Sequence, residues 1–323
     1  MRGIPLTSLL LPGLSAGASA QPATSVLDTV QQSQPVDSST QADDVKMRKD
    51  VNDRMTVAVT LGGVGPYRFL VDTGADRTAI SKDVASRLGL HIGEKAALHS
   101  MTGMSSVQTA TVPSLQVSRS DLTIVDAPVL DADKMGADGI LGTDSLRSQR
   151  VMFDFENNMM TIVPSVQRVT REDGTIIVTG RMKNGRLIVT NAKADQNVIT
   201  AVLDTGSEVC IGNEALRRKL ESSGQLSNTG AIEIESVTGE MLPGQYSFVK
   251  KLQIGNVTLG NLAVVFADAH TFKLLGLQDR PALLLGMNAF RAFKKVSIDF
   301  ANHKLRVVLP ESGSLSPVMM SAR

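Results

Sequence analysis

The strongest constraint on this chain is that it carries the same pattern twice. Phe69-Leu70-Val71-Asp72-Thr73-Gly74-Ala75-Asp76 returns, 132 residues later, as Ala201-Val202-Leu203-Asp204-Thr205-Gly206-Ser207-Glu208. Four more pairs follow in the same order. Ser100-Met101-Thr102-Gly103 is echoed by Ser236-Val237-Thr238-Gly239, and Leu115-Gln116-Val117 by Leu252-Gln253-Ile254. Ile140-Leu141-Gly142-Thr143-Asp144-Ser145-Leu146 is echoed by Leu284-Leu285-Gly286-Met287-Asn288-Ala289-Phe290, and Val151-Met152-Phe153-Asp154-Phe155 by Val296-Ser297-Ile298-Asp299-Phe300. An ordered series of matches points to a duplication, so both halves must fold alike. The 323 residues leave room for two domains of ordinary size.

Each half reads mainly as β. Met55 to Leu61 alternates apolar and polar residues, Gly-Gly-Val-Gly-Pro turns the chain, and Tyr67 to Val71 resumes a strand. Arg186 to Thr190 and Val198 to Leu203 flank a polar turn in the same way. Short helical patterns fall at Lys82 to Leu88, Asn213 to Leu220, Asp144 to Ser148 and Asn288 to Phe293. Many short strands with few helices and frequent Gly turns predict two small barrel-like β domains. The polar run between Pro164 and Asp173 separates a first domain over 45–166 from a second over 167–310, with a tail over 311–323.

Residues 1–20 read as a signal peptide: Arg2, an apolar stretch from Leu6 to Leu14, then Ala18-Ser19-Ala20. Cleavage near Ala20 predicts an exported protein, periplasmic or secreted. Residues 21–44, rich in Gln, Ser, Thr and Asp, read as a flexible linker. A net charge of +1 offers no footprint for nucleic acid or an anionic surface, and no later segment suits stable membrane insertion. With 3% aromatic residues and no Trp, the core must be aliphatic. The single cysteine, Cys210, cannot form an internal disulfide and reads as a buried, inert thiol. His91, His99, His270 and His303 lack metal-ligand spacing and read as solvated or structural, so neither metal nor cofactor is expected.

One Asp-Thr-Gly after an apolar strand could be a simple turn. Two, each followed by an apolar-apolar-Gly, mark paired carboxylates. Phe-Leu-Val-Asp-Thr-Gly-Ala-Asp with Thr78-Ala79-Ile80 resembles the active-site segment of retropepsin-like aspartic proteases. Ala-Val-Leu-Asp-Thr-Gly-Ser resembles the same segment in the form familiar from pepsin-like enzymes. The resemblance runs from about Val45 to Pro310. It implies two tandem retropepsin-like acid-protease barrel domains, mainly β, related by a pseudo-twofold axis with the active site at their interface. It also implies an aspartic endopeptidase that takes a peptide or protein substrate without a cofactor, and works as a monomer because both loops lie in one chain.

The chemistry accounts for the residue types. Cleaving a peptide without metal or covalent intermediate needs a base for water and an acid for the departing groups. Two close carboxylates share one proton, so the pair Asp72 and Asp204 can supply both roles, and neither is assigned the base. As the resemblance implies, Thr73 and Thr205 lock the loops face to face, while Gly74 and Gly206 allow the tight turn. Asp76 and Glu208 would meet the substrate backbone. The turns at Met101, Thr102, Gly103 and at Val237, Thr238, Gly239 would be substrate-binding flaps, although neither has the Tyr of pepsin-like enzymes. Ser207 could donate a hydrogen bond to the ionised pair where Ala75 cannot, tuning it toward a weakly acidic optimum. A silent peptide-binding module of the same fold, or a homodimer pairing like halves between chains, fits the same residues.

Overall fold

The computed structural model describes residues 43–46, 48–49, 55–117, 120–166, 175–226 and 230–310. The signal peptide, nearly all of the linker and the C-terminal tail lie outside the described residues.

The duplication is visible strand for strand. In the first half an eight-stranded sheet runs in the order Arg48–Lys49, Met55–Leu61, Val64–Val71, Gly139–Leu141, Ala79–Ser81, Ser120–Leu130, Met104–Val117, Ile92–His99. In the second the order is Arg181–Lys183, Arg186–Ala194, Asn197–Leu203, Ala282–Leu285, Cys210–Gly212, Val257–Phe266, Met241–Ile254, Gly230–Glu235. An extra pairing, Met55–Leu61 with Met104–Val117 and Arg186–Ala194 with Met241–Ile254, bends each sheet back on itself.

This topology positions the two Asp-Thr-Gly loops. Val64–Val71 pairs in parallel with Gly139–Leu141, and Asn197–Leu203 with Ala282–Leu285. Parallel strands buried on both faces demand continuous apolar runs. The sequence supplies them: Phe69-Leu70-Val71, Ile140-Leu141, Ala201-Val202-Leu203 and Ala282 to Leu285 are all buried. Asp72 N–H donates to Leu141 C=O (3.1 Å) and Asp204 N–H to Leu285 C=O (3.1 Å), so each apolar-apolar-Gly strand braces its loop from behind.

The helices are brief and lie close to the expected places: Lys82–Arg87, Thr143–Leu146, Glu214–Ser222 and Met287–Phe290. Asn213 caps the longest by accepting a hydrogen bond from Leu216 N–H at 2.9 Å. Two further short helices, Ala132–Met135 and His270–Leu274, lack a sequence pattern long enough to read.

A third sheet joins the halves, and strand spacing alone did not anticipate it. Its order is Asp43–Lys46, Met159–Pro164, Gln149–Asp154, Lys295–Asp299, Lys304–Val308, Ile176–Thr179, three strands from each half. Asp43 and Asp44, expected in the linker, pair with Ile162 and Thr161 and so open the folded region. At the centre Gln149–Asp154 pairs antiparallel with Lys295–Asp299, matching Arg150 to Asp299 and Asp154 to Lys295. The symmetry axis relates these two ion pairs. Arg150 to Asp299 (2.9 Å) is buried, and Lys295 to Asp154 (3.4 Å) lies nearer the surface. The core is largely Val, Leu and Ile, with Phe69, Phe153, Phe272 and Phe290 as its largest fully buried side chains.

Candidate active site

The two loops grip each other through their threonines. Thr73 N–H donates to Thr205 Oγ1 (3.0 Å), and Thr205 N–H donates to Thr73 Oγ1 (3.0 Å). Each hydroxyl then donates onward, Thr73 to Leu203 C=O (3.1 Å) and Thr205 to Val71 C=O (2.7 Å). A hydroxyl can accept and donate at once, which a β-branched apolar residue of the same shape cannot. Four bonds therefore close the loops into a symmetric unit.

Within it Asp72 and Asp204 are both buried, with 8% of each residue exposed. Asp72 accepts from Gly74 N–H (2.7 Å) and Ala75 N–H (3.1 Å), and Asp204 from Gly206 N–H (3.1 Å). Each carboxylate lies across the opposite glycine. A Cβ on Gly74 would stand 2.5 Å from Asp204 Oδ1, and one on Gly206 would overlap the carboxylate of Asp72. Only glycine lets the two chains approach this closely. Burial pushes both carboxyls above the ordinary range, against the pull of the backbone N–H groups and of Arg186. Asp204 rises to about 7, with the charge of Asp72 as the second cause after burial. The pair is thus built to hold one proton near neutral pH.

Behind the loops the halves use one device in two chemistries. In the first, Thr78 Oγ1 donates to Asp144 (2.7 Å) and accepts from Gly142 N–H (3.1 Å). In the second, Cys210 Sγ donates to Asn288 Oδ1 (3.1 Å) and accepts from Gly286 N–H (3.2 Å). The lone cysteine stands where its counterpart is a threonine. Its thiol is buried and pushed up to about 12, so it stays protonated.

The flaps close over this centre and cross it. Met101, 3% exposed, belongs to an apolar cluster of the second half that includes Ile188, Val209, Phe272 and Leu284. Val237, half-buried, packs against the first half at the cluster of Leu70, Ala79, Leu130 and Ile140. Thr102 Oγ1 donates to Glu240 on the other flap (2.7 Å), and Thr238 Oγ1 donates to the same carboxylate. Gly103 C=O accepts from Ser100 N–H (2.8 Å), and Gly239, at φ 92°, donates to Ser236 C=O (2.8 Å). Just before the turns, His99 Nδ1 lies 3.0 Å from His270 Nε2, and Glu235 pairs with Lys134.

A cavity of about 250 Å³ lies under the flaps, lined by Asp72, Asp204, Asp76, Leu98, Ile140 and Arg186 among others. Most of its lining comes from the first half. The sequence-predicted residues divide accordingly. Asp76 lines the cavity and meets Arg186 Nη1 at 2.9 Å. Glu208, expected beside it as a substrate contact, is instead buried and held by Arg291 of its own half (2.8 Å). Met101, expected to face a substrate, lines the cavity and is at the same time seated in the apolar cluster of the second half. Ser207, expected to donate to the ionised pair through its hydroxyl, spends that proton on Val209 C=O (2.8 Å) instead, and it is the backbone N–H of Ser207 that acts on Asp204.

The sequence reading passed over Arg186, which is buried at the start of a strand, beside the acidic pair. A charged residue opening the inward-facing run Leu187-Ile188-Val189 was the available signal. His99 and His270, read as scattered, meet across the halves although 171 residues separate them.

Two family models match the chain. Residues 57–148 match the family described as gag-polyprotein putative aspartyl protease, and residues 190–289 match the family described as Aspartyl protease. No curated protein matches the sequence. The two matched spans cover the two sheet domains and contain the two Asp-Thr-Gly loops in turn. This chain is therefore a member of the retropepsin-like aspartyl proteases, with two such domains in tandem.

Proposed function

We propose that the protein is an aspartic endopeptidase in which Asp72 and Asp204 activate one water between them. The observation that carries this reading is the mutual threonine grip, which holds two buried carboxyls across each other's glycine. One carboxylate takes the proton of the water as it attacks the scissile carbonyl, and the protonated partner donates to the carbonyl oxygen. As the C–N bond breaks, the departing nitrogen receives the proton of one carboxyl while the other carboxylate takes a hydroxyl proton from the tetrahedral diol, so the pair returns to its one-proton state.

The substrate is an extended peptide laid along the cleft beneath the flaps, in the manner of an added strand. Aliphatic side chains suit the cavity walls at Ala79, Leu98, Leu130 and Ile140. Both loops and the central sheet are completed within one chain, which favours action as a monomer. Residues 1–20 favour an exported, periplasmic or secreted enzyme.

The test is incubation of the mature protein with a diverse peptide library over several pH values. Cleavage should be blocked by a statine-type mimic, whose hydroxyl takes the place of the attacking water. Tight binding of that mimic without cleavage of any peptide would instead identify a silent binding module.

A further inference from the structure

Each flap is anchored to the opposite half, and the two anchors are built from different chemistry. Glu235, the last strand residue before the second flap turn, pairs with Lys134 on the helix Ala132–Met135 of the first half. His99 holds the matching place before the first flap turn and meets His270 on the helix His270–Leu274 of the second half. The imidazole rings lie nearly parallel, 13° apart, with centroids at 5.2 Å. His270 N–H also donates to Met101 C=O (2.6 Å), so flap closure satisfies an amide that the start of the helix leaves free.

We infer that the first flap is a proton-operated latch: the His99–His270 pair holds it shut near neutral pH, with Met101 seated in the second half, and acid releases it while the second flap stays anchored. The inference deepens the proposed protease reading, since it concerns access to the same cleft.

The argument is one of proton counting. Two facing imidazole nitrogens at 3.0 Å need one N–H between them, so the contact survives with the pair neutral or singly charged. A second proton puts donor against donor and cation against cation, and the contact fails. The second anchor contains no imidazole, and its hydrogen bond to Glu235 holds the Lys134 ammonium above its ordinary value. The neighbouring charges set the direction. Asp76 of the first loop lies near His99, and both line the cavity. Lys273, on the helix of His270 and itself paired with Asp268, opposes protonation of His270, as do His99 and partial burial, which is the largest cause. These hold His270 below its ordinary 6.5. Glu240 joins the flaps through Thr102, Ser105 and Thr238, and those hydrogen bonds hold its carboxyl below the usual range, so it stays ionised as the imidazoles titrate. Acid therefore acts first on the histidine anchor.

Met101 and Met104 make the test direct. Met101 is 3% exposed and Met104, three residues on, is 66% exposed. Oxidation of a thioether by hydrogen peroxide needs access and no thiolate, so Met104 serves as the internal reference within one peptide. Protein without substrate is treated with peroxide at about pH 7.5 and about pH 5, and both sulfoxides are quantified by mass spectrometry. The ratio of Met101 to Met104 oxidation should rise at least threefold in acid. In His270→Gln, a neutral side chain that still hydrogen-bonds His99, the ratio should stay low at both pH values. In His270→Lys it should stay low at pH 7.5, where the ammonium can donate to a neutral His99, and still rise in acid, where cation meets cation. A ratio in the unsubstituted protein that ignores pH, or an acid rise that persists in His270→Gln, overturns the latch. No cleavage enters this readout, so failure of the protease reading in the peptide assay is a separate result.

Discussion

The Asp-Thr-Gly loops and the flaps treat the duplication in opposite ways. The loops keep it almost atom for atom: the same four threonine bonds, the same glycine under each carboxylate, the same brace from behind. Around them the symmetry decays. Asp76 reaches across to Arg186 of the other half, whereas Glu208 turns inward to Arg291 of its own. Met101 is fully seated and Val237 only half so, and one anchor is a histidine pair where the other is an ion pair. Symmetry persists where both halves act on the same atoms and relaxes where each acts on its own.

The sharpest way to break this comparison is at the carboxylates. Asp72→Asn and Asp204→Asn should each lower kcat about a thousandfold or more with the fold intact, because general acid–base work is typically worth about 10²–10⁴-fold and neither amide can relay the proton. The two losses should agree within about tenfold by peptide cleavage. Substantial activity in one mutant alone would make the pair functionally unequal.

The next largest effect compares the two ion pairs of the central sheet. Asp299 is fully buried, and hydrogen bonds from Arg150 and Asn302 outweigh burial to hold its carboxyl below the ordinary range. Asp299→Asn leaves Arg150 buried without its counter-charge and should cost about 3–5 kcal/mol in denaturant unfolding. Asp154→Asn removes the more open partner pair and should cost about 1 kcal/mol or less. Equal costs would show that the sheet senses its two sides alike.

The dyad also sets how stability responds to pH. Both carboxyls are raised in the folded protein, so the folded form holds the shared proton more tightly than the unfolded chain. The contribution is complete below the ordinary 3.8 and is lost as pH rises toward about 7. The thermal midpoint should fall across that interval, and Asp204→Asn should flatten the fall. A midpoint that rises from mild acid to neutral in both proteins would contradict the assignment of burial as the dominant cause.

The smallest effect belongs to Ser207. Its hydroxyl is committed to Val209 C=O, so Ser207→Ala should leave the acidic limb of the rate profile within about 0.2 units and cost about 1 kcal/mol of stability. A shift of half a unit or more would place the hydroxyl on the dyad after all.

What the sequence made legible follows from range. Asp72, Asp204, the threonines and the apolar strands behind them were readable because each motif is local and occurs twice. The central sheet was not, because the repeat marks residues 151–155 and 296–300 as counterparts while nothing local says that the two strands pair with each other, Arg150 opposite Asp299. Glu208 and Ser207 misled for a related reason. Matched positions suggest matched roles, yet each side chain takes the nearest partner its own half offers, Arg291 and Val209 C=O. Arg186 and the histidine pair depend on cross-half approach, which no single window of sequence contains.

The strands that weld the halves into one sheet also change what inheritance can do. In a self-paired dimer each codon is written once and expressed on both sides of the cleft, so a substitution that helps one flap is imposed on the other. Here residues 149–154 and 295–299 are separate genetic text forming one junction. One copy could drift to His99 while the other kept Glu235, and Cys210 could replace its threonine counterpart without altering Thr78. Covalent union thus frees the two sides of one cleft to specialise independently, a freedom that a perfect twofold denies.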